Sequence, residues 1–210
     1  MSRRLVVLDV DSTLIENEVI ELLADVAGSR ELVQAVTERA MRGELDFAES
    51  LRERVATLAG IPATAFELVR AQVRVTDGVP DLISAVHAAG GTVAVVSGGF
   101  HEILDPLAEQ LGLDAWKANR LEIADGVLTG KVEGAIIDAQ AKADWLTTWA
   151  TEGGFEWEET VAIGDGANDL KMMAIAGTSI AFDAKPVVAE QADYSITVRD
   201  MREAIAIIGL

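Results

Sequence analysis

Cysteine is absent from the 210 residues, and with it go disulfides, thiolate metal sites and thiol nucleophiles. Histidine is scarce: His87 and His101 are too few for a histidine-built metal centre. Cations are in deficit, with 17 Lys+Arg against 35 Asp+Glu and a formal net charge of −18. A nucleic-acid binder needs a basic footprint over the phosphates, and docking to anionic lipid needs the same, so neither partner is expected. No apolar stretch approaches the roughly 18 residues of a membrane span. The run Leu5–Leu8 is too short for the core of a secretion signal and ends at an acid. The chain is therefore expected to be soluble and cytoplasmic.

What is present is a globular composition, 50% apolar and 25% charged. Four short aliphatic runs each stop at a polar or glycine cluster. They are Leu5–Leu8 before DVDST, Thr92–Val96 before SGGF, Thr160–Ile163 before GDGAND and Ser179–Phe182 before DAKP. Buried strands that end in a turn and then a helix read this way. Helical periodicity lies between them, over Pro80–Ala89, Phe100–Leu111, Asp138–Ala150 and Asp169–Ala176. The alternation predicts a parallel sheet with helices on both faces, and ligands of such sheets bind outside the carboxyl ends of the strands. All four polar clusters fall there.

Residues 16–74 break the alternation. Glu18–Ala27, Arg30–Met41, Phe47–Ala59 and Pro62–Arg74 are helical in pattern with no strand between them, which predicts a helical insert over the strand ends. The chain returns to the sheet at Thr76-Asp77-Gly78-Val79-Pro80. Residues 119–134 carry Asp125-Gly126 between short alternating segments, a hairpin signal read as a second, smaller insert. The predicted division is a core of 1–15 and 75–210 and a helical cap of 16–74.

Asp9-Val10-Asp11-Ser12-Thr13 follows the first strand. Residues two apart on a strand point the same way, so Asp9 and Asp11 can face one pocket while Val10 packs. Two carboxylates suit a hard divalent cation, and they also suit a nucleophile beside a proton carrier. A solvated strand end whose acids cap the next helix is the competing account. Gly164-Asp165-Gly166-Ala167-Asn168-Asp169 ends the third strand in the same style. Two acidic strand ends in one parallel sheet bring three or four carboxylates together, and a divalent metal relieves their repulsion. Ser97-Gly98-Gly99-Phe100 offers a hydroxyl and backbone N–H groups as an anion cradle, or a simple helix cap.

Two cations sit on apolar helix faces. At about 100° per residue, Arg54 falls within roughly 20° of Phe47, inside the stripe of Leu51, Val55 and Leu58. Lys142 shares a face with Trp145, Leu146 and Trp149. Each must meet an anion or run its charge out to water. Lys142 is placed to neutralise a phosphate or the Asp9 carboxylate. Glu18, in the first turn of the first insert helix, reads as compensation of the helix dipole. Met41 and Phe47 read as insert core, the four tryptophans as packing residues, and neither histidine receives a role.

DVDST, SGGF, and Lys142 ahead of GDGAND resemble, in order, the motifs of the haloacid dehalogenase superfamily of aspartyl phosphotransferases. The resemblance is closer still to the branch that hydrolyses O-phosphoserine. Its further marks are Glu18, the stretch Leu45–Val55 and Ala118-Asn119-Arg120-Leu121. It implies an α/β fold, a Rossmann-like sheet with a helical-bundle cap inserted after the first strand. It implies Asp9 as nucleophile, and Asp11 as the acid and base that also gives a metal its backbone carbonyl. Mg²⁺ would be held by Asp9, Asp11, Asp165 and Asp169. Ser97, Gly98 and Lys142 would hold phosphate, Glu18 and Arg54 the amino and carboxylate groups of phosphoserine, with Asn168 near the substrate. The implied role is the last step of the phosphorylated route to serine, in a monomer or homodimer. Longer members carry an amino-terminal ACT-type domain that these residues do not include, so serine feedback through it is not expected. Transfer to another alcohol such as homoserine, hydrolysis of another small phosphomonoester, and a receiver-like phosphoacceptor switch remain as alternatives.

Overall fold

The computed structural model describes residues 3–210, and within them a seven-stranded sheet runs in the order β4-β3-β2-β1-β5-β6-β7. The strands are β1 (Leu5–Leu8), β2 (Thr92–Phe100), β3 (Ala115–Ala124), β4 (Val127–Glu133), β5 (Thr160–Gly164), β6 (Thr178–Phe182) and β7 (Tyr194–Ile196). Every pairing is parallel except β3 with β4. Strand β1 sits centrally, with Leu5–Leu8 in register with Thr92–Val95 on one side and Thr160–Ile163 on the other. All four of its residues are buried, as expected of a strand covered on both faces.

The period of two sorts those residues. Val6 and Leu8 enter one core with Val93, Val95 and the apolar stripe of α5 (Val79–Ala88). Leu5 and Val7 enter the other with Ala94, Val96 and Leu146, Trp149 and Ala150 of α7 (Ala139–Gly153). Helix α6 (His101–Leu111) and α10 (Arg202–Ile207) pack on the first face, α8 (Leu170–Ile175) and α9 (Pro186–Ala189) on the second.

Between β1 and α5 lie α1 (Val19–Ala27), α2 (Arg30–Met41), α3 (Phe47–Ala56) and α4 (Ala65–Arg70). Helix α3 starts at a capping box: Asp46 accepts from Glu49 N, and Glu49 accepts from Asp46 N. The insert leaves and rejoins the sheet at adjacent points, where Ile15 and Val75 form an antiparallel bridge. It touches the sheet again at β4, through Gly60 N–H to Leu128 O, Leu128 N–H to Ile61 O and Ala63 N–H to Gly126 O.

Four expectations need correction. The 119–134 hairpin is not an insert: β3 begins at Ala115, pairs parallel with β2, and carries the sheet outward to β4. Polar residues interrupt its apolar pattern, so the first half of β3 is not readable as a strand. The fourth insert helix is much shorter than 62–74, because the chain turns at 71–72 and runs irregularly to the bridge at Val75. Met41 is not core: it is 74% exposed, at the last residue of α2. Trp157 is likewise 45% exposed and packs little.

The return to the sheet depends on Gly78, at φ 82° before Val79 and Pro80 open α5. A Cβ there would lie 2.5 Å from Asp200 Oδ1 and 2.6 Å from the Arg202 backbone nitrogen. Gly126, at φ 77° in the hairpin turn, has open space around it. Gly126→Ala should therefore cost about 1–2 kcal/mol from the left-handed backbone alone. Gly78→Ala should cost about 1–3 kcal/mol more, because a second backbone must also shift. Urea titration of both variants checks the difference, and equal midpoints would refute it.

Candidate active site

At the carboxyl ends of β1, β2 and β5 a cavity of about 500 Å³ opens beneath the insert. Strand β1 stops at Leu8, and Asp9 is extended (φ −69°, ψ 164°) before a tight turn over Val10–Leu14, closed by Leu14 N–H to Asp9 O and Ile15 N–H to Val10 O. Asp9 and Asp11 both line the cavity and Val10 is buried, as two-residue spacing predicts. The turn, rather than strand pleating, delivers Asp11, and it includes Ser12 at φ 58°. Arg199, far along the chain, steadies that left-handed residue by donating to the Ser12 carbonyl at 2.9 Å while pairing with Asp183.

Asp9, Asp165 and Asp169 bring carboxylate oxygens within 4.8 Å of one another. The Lys142 ammonium reaches Asp9 Oδ1 and Asp169 Oδ1, each at 2.7 Å, and its side chain is 0% exposed. It does not run out to water. The apolar face that Lys142 shares with Leu146 and Trp149 drives its buried position, and the carboxylates satisfy the charge. Asp169 also accepts from Gly166 N–H at 3.1 Å, and Thr13 Oγ donates to Asp165 at 3.2 Å.

The electrostatics are frustrated. Burial, then the charges of Asp169 and Asp165, push Asp9 well above the usual carboxylate range, against the pull of Lys142. Burial, then Asp169 and Glu18, bring Asp165 up to about 6. Burial alone would lower Lys142, but Asp169 and Asp9 outweigh it and hold the ammonium above its ordinary value. Asp11 stands outside the three-carboxylate cluster. It accepts from Val19 N–H at 2.7 Å and faces the Ser97 hydroxyl at 3.3 Å. Burial, then the charge of Glu18, push it up to about 7, where it can both give and take a proton near neutrality.

Glu18 and Arg54 complete the wall on the insert side. Glu18 accepts from Ser12 Oγ at 2.7 Å, so it is tied to the turn that carries Asp11 as well as sitting before α1. Arg54 is largely buried; its Nε–H reaches only the Ser50 carbonyl, at 3.3 Å, and burial lowers it from its ordinary value. Among the described residues no carboxylate lies within ion-pair distance of it, leaving its fork open to the cavity. Gly98 and Asn168 also line the space, and Ser97 is buried behind it. Ser97-Gly98-Gly99 is a continuation of β2, and α6 begins only at His101, so the cradle is strand and bulge rather than a helix start.

The structure thus brings together all the residues singled out around the strand ends. It adds Thr13, Phe47, Met41 and Lys185, which sequence reasoning left aside or placed in the core. Phe47 reaches across to Gly98, whose added Cβ would lie 2.9 Å from the ring. Arg199 carries no local signal, because 187 residues separate it from its partner.

Residues 6–174 match the family of haloacid dehalogenase-like hydrolases. The chain is 51% identical to a phosphoserine phosphatase of Streptococcus thermophilus over 97% of this chain and 95% of that one. Two solved structures superpose closely. A phospho-aspartyl intermediate analogue of phosphoserine phosphatase gives a TM-score of 0.92 at 43% identity, covering 99% of each chain. A substrate-bound phosphoserine phosphatase complex gives 0.93 at 42% identity, also covering 99% of each. Other relatives are longer, and the chain spans about half their length.

Lys142→Ala should leave two buried carboxylates without their cation and cost about 3–5 kcal/mol. Denaturant titration in the presence of chelator measures the loss, and an unchanged midpoint would refute the buried pairing.

Proposed function

The chain belongs to the haloacid dehalogenase-like hydrolase family, and we propose that it hydrolyses O-phosphoserine to serine and inorganic phosphate. The observation that carries the substrate is that Arg54 and Glu18 line the same cavity as Asp9. An amino-acid phosphomonoester presents a phosphate, a carboxylate and an ammonium. The cavity presents a nucleophilic carboxylate with Lys142 beside it, an open guanidinium fork, and the Glu18 carboxylate, which carries one hydrogen bond from Ser12 Oγ. The likeness to phosphoserine phosphatases supports the same substrate. Residues 16–74 would act as the cap domain over a core of 1–15 and 75–210.

In this reading an Asp9 carboxylate oxygen attacks phosphorus. The P–O bond to the serine side chain breaks, and Asp11 gives its proton to the departing oxygen. Asp11, now a carboxylate, takes a proton from water as that water attacks the aspartyl phosphate. Phosphate leaves and Asp9 is restored. The ester is labile because a carboxylate is a good leaving group. Ser97, Gly98 and Lys142 hold the phosphoryl oxygens, and Asn168 borders the substrate. The insert covers the site during transfer.

The residues fit a divalent cation. Asp9, Asp165 and Asp169 are oxygen donors crowded in a buried space, and Asp9 and Asp165 are raised by burial and then by the charge of Asp169. Mg²⁺, which prefers such donors, would be held by these three with the Asp11 carbonyl. It would supply charge neutralisation for the transferring phosphoryl group. With a protein at −18, the attraction for a polyanionic substrate must be local, and Lys142, Arg54 and the cation supply it.

Phosphate release from O-phosphoserine in Mg²⁺ tests the reading. Release should be catalytic, should stop in excess chelator, and should be abolished in Asp9→Asn with the fold intact. Retained turnover in Asp9→Asn would overturn covalent catalysis at Asp9.

Arg54 is assigned to the carboxylate because its planar fork matches that group. Losing a charge-assisted pair in an enclosed site costs about 2–4 kcal/mol, or roughly 30- to 1,000-fold in kcat/KM. Arg54→Ala should show that loss with O-phosphoserine and hardly any with p-nitrophenyl phosphate, which has no carboxylate. An equal loss with both substrates would remove the substrate assignment while leaving the phosphatase reading in place.

A further inference from the structure

The ladder between β2 and β3 breaks beside the cavity. Val96 pairs with Lys117 and Phe100 pairs with Asn119, so Ser97, Gly98 and Gly99 lie opposite Ala118 alone. Such a bulge re-aims the chain next to a site, and it leaves ladder groups without their usual partners. Buried backbone groups cannot stay unpaired cheaply. Here side chains replace the missing ladder. Asn119 Nδ2 donates to the Gly98 carbonyl at 2.8 Å. Ala118 N–H donates to His101 Nε2 at 3.2 Å. That ring therefore carries its proton on Nδ1, which meets Asp105 Oδ1 at 2.6 Å. Gly99 N–H donates to Ser97 Oγ at 2.7 Å.

Asn119 does more than fill a gap. It is 1% exposed, and its other end accepts from Ile137 N–H at 2.8 Å. Ile137 immediately precedes Asp138, which caps the helix carrying Lys142 by accepting from Ala141 N–H. One amide thus joins the bulge to the lead-in of the lysine helix. It also begins a chain of hydrogen bonds. The Asn119 amide holds the Gly98 carbonyl, the N–H of that same peptide unit holds Ser97 Oγ, and Ser97 Oγ faces Asp11 at 3.3 Å. Bonds in such a chain polarise one another in a buried setting.

We infer that Asn119 is a positioning residue for phosphoryl binding. By clamping the Gly98–Gly99 peptide and the approach to the Lys142 helix, it fixes the phosphate-holding groups relative to each other. The inference rests on the proposed reading that the Ser97–Gly99 segment holds the phosphoryl group. Asn119 touches no reacting atom in this scheme. A misplacement of about 1 Å in such a site costs on the order of 100-fold.

The test compares Asn119→Asp with Asn119→Ala at pH 8 and above, following kcat/KM with pH so that loss of the introduced carboxyl's proton, and with it the donor to Gly98, is itself observed. Asn119→Asp keeps an acceptor for Ile137 N–H and loses the donor to Gly98. It should stay folded by circular dichroism and lose about 100-fold in kcat/KM with O-phosphoserine and with p-nitrophenyl phosphate alike. Its affinity for inorganic phosphate, measured by calorimetry, should fall as well. Asn119→Ala should be no more active and less stable. Full activity in Asn119→Asp beside a loss in Asn119→Ala would mean that only the Ile137 bond matters, and would overturn the inference. A loss confined to O-phosphoserine would overturn it too. A wild-type protein that hydrolyses p-nitrophenyl phosphate but not O-phosphoserine would sink the substrate reading alone, and the Asn119 comparison would still be read on the first substrate and on phosphate binding.

Discussion

A single ammonium buried between two carboxylates organises this protein. Lys142 has no route to water, so its charge must be matched inside, and it is matched twice at 2.7 Å. The requirement fixes where α7 sits against the ends of β1 and β5, since Asp9 leaves the first strand and Asp169 follows the second. It also leaves the site with more negative charge than one lysine can neutralise, because Asp165 stands beside the pair. Burial first, and then that crowding of charge, hold Asp9 and Asp165 above the usual carboxylate range. A further positive charge placed among these carboxylates would relieve their repulsion.

Much of this was readable in the chain itself, for physical reasons. Strands β1, β5 and β6 are short runs of aliphatic residues buried on both sides, and such runs stop abruptly where carboxylates begin. Asp9 and Asp11 were readable because they flank one buried residue, and Lys142 and Arg54 because they break apolar helix faces. Asp125-Gly126 marked the hairpin turn, where both residues take positive φ. What escaped depends on contacts distant in sequence. The first half of β3 is built by pairing with β2, not by its own pattern. Met41 looked like core from spacing, yet α2 ends there and the side chain turns out over the cavity rim. Arg199 and Thr13 act through partners far along the chain.

The bulge in β2 shows why the cavity lies where it does. A regular ladder would carry Ser97–Gly99 straight past the site along the sheet. Three residues set against one instead push the backbone toward Asp11. Gly99 accepts this because a side chain there would collide with the Asp11 carboxylate at 2.7 Å. The sheet supplies rigidity and the irregularity supplies aim, a division common at functional sites.

The three backbone hydrogen bonds between residues 60–63 and the β3–β4 hairpin, two of them to β4 itself, have a bearing on modularity. Because the insert leaves and rejoins the sheet at adjacent residues, it has the topology of an exchangeable cassette. Yet β4 is the outermost strand, and residues 60–63 cover part of its otherwise open edge. A foreign cassette joined only at 15 and 75 would uncover that edge and offer it to a second molecule as a pairing template. An exchange of the insert therefore calls for a matching hairpin.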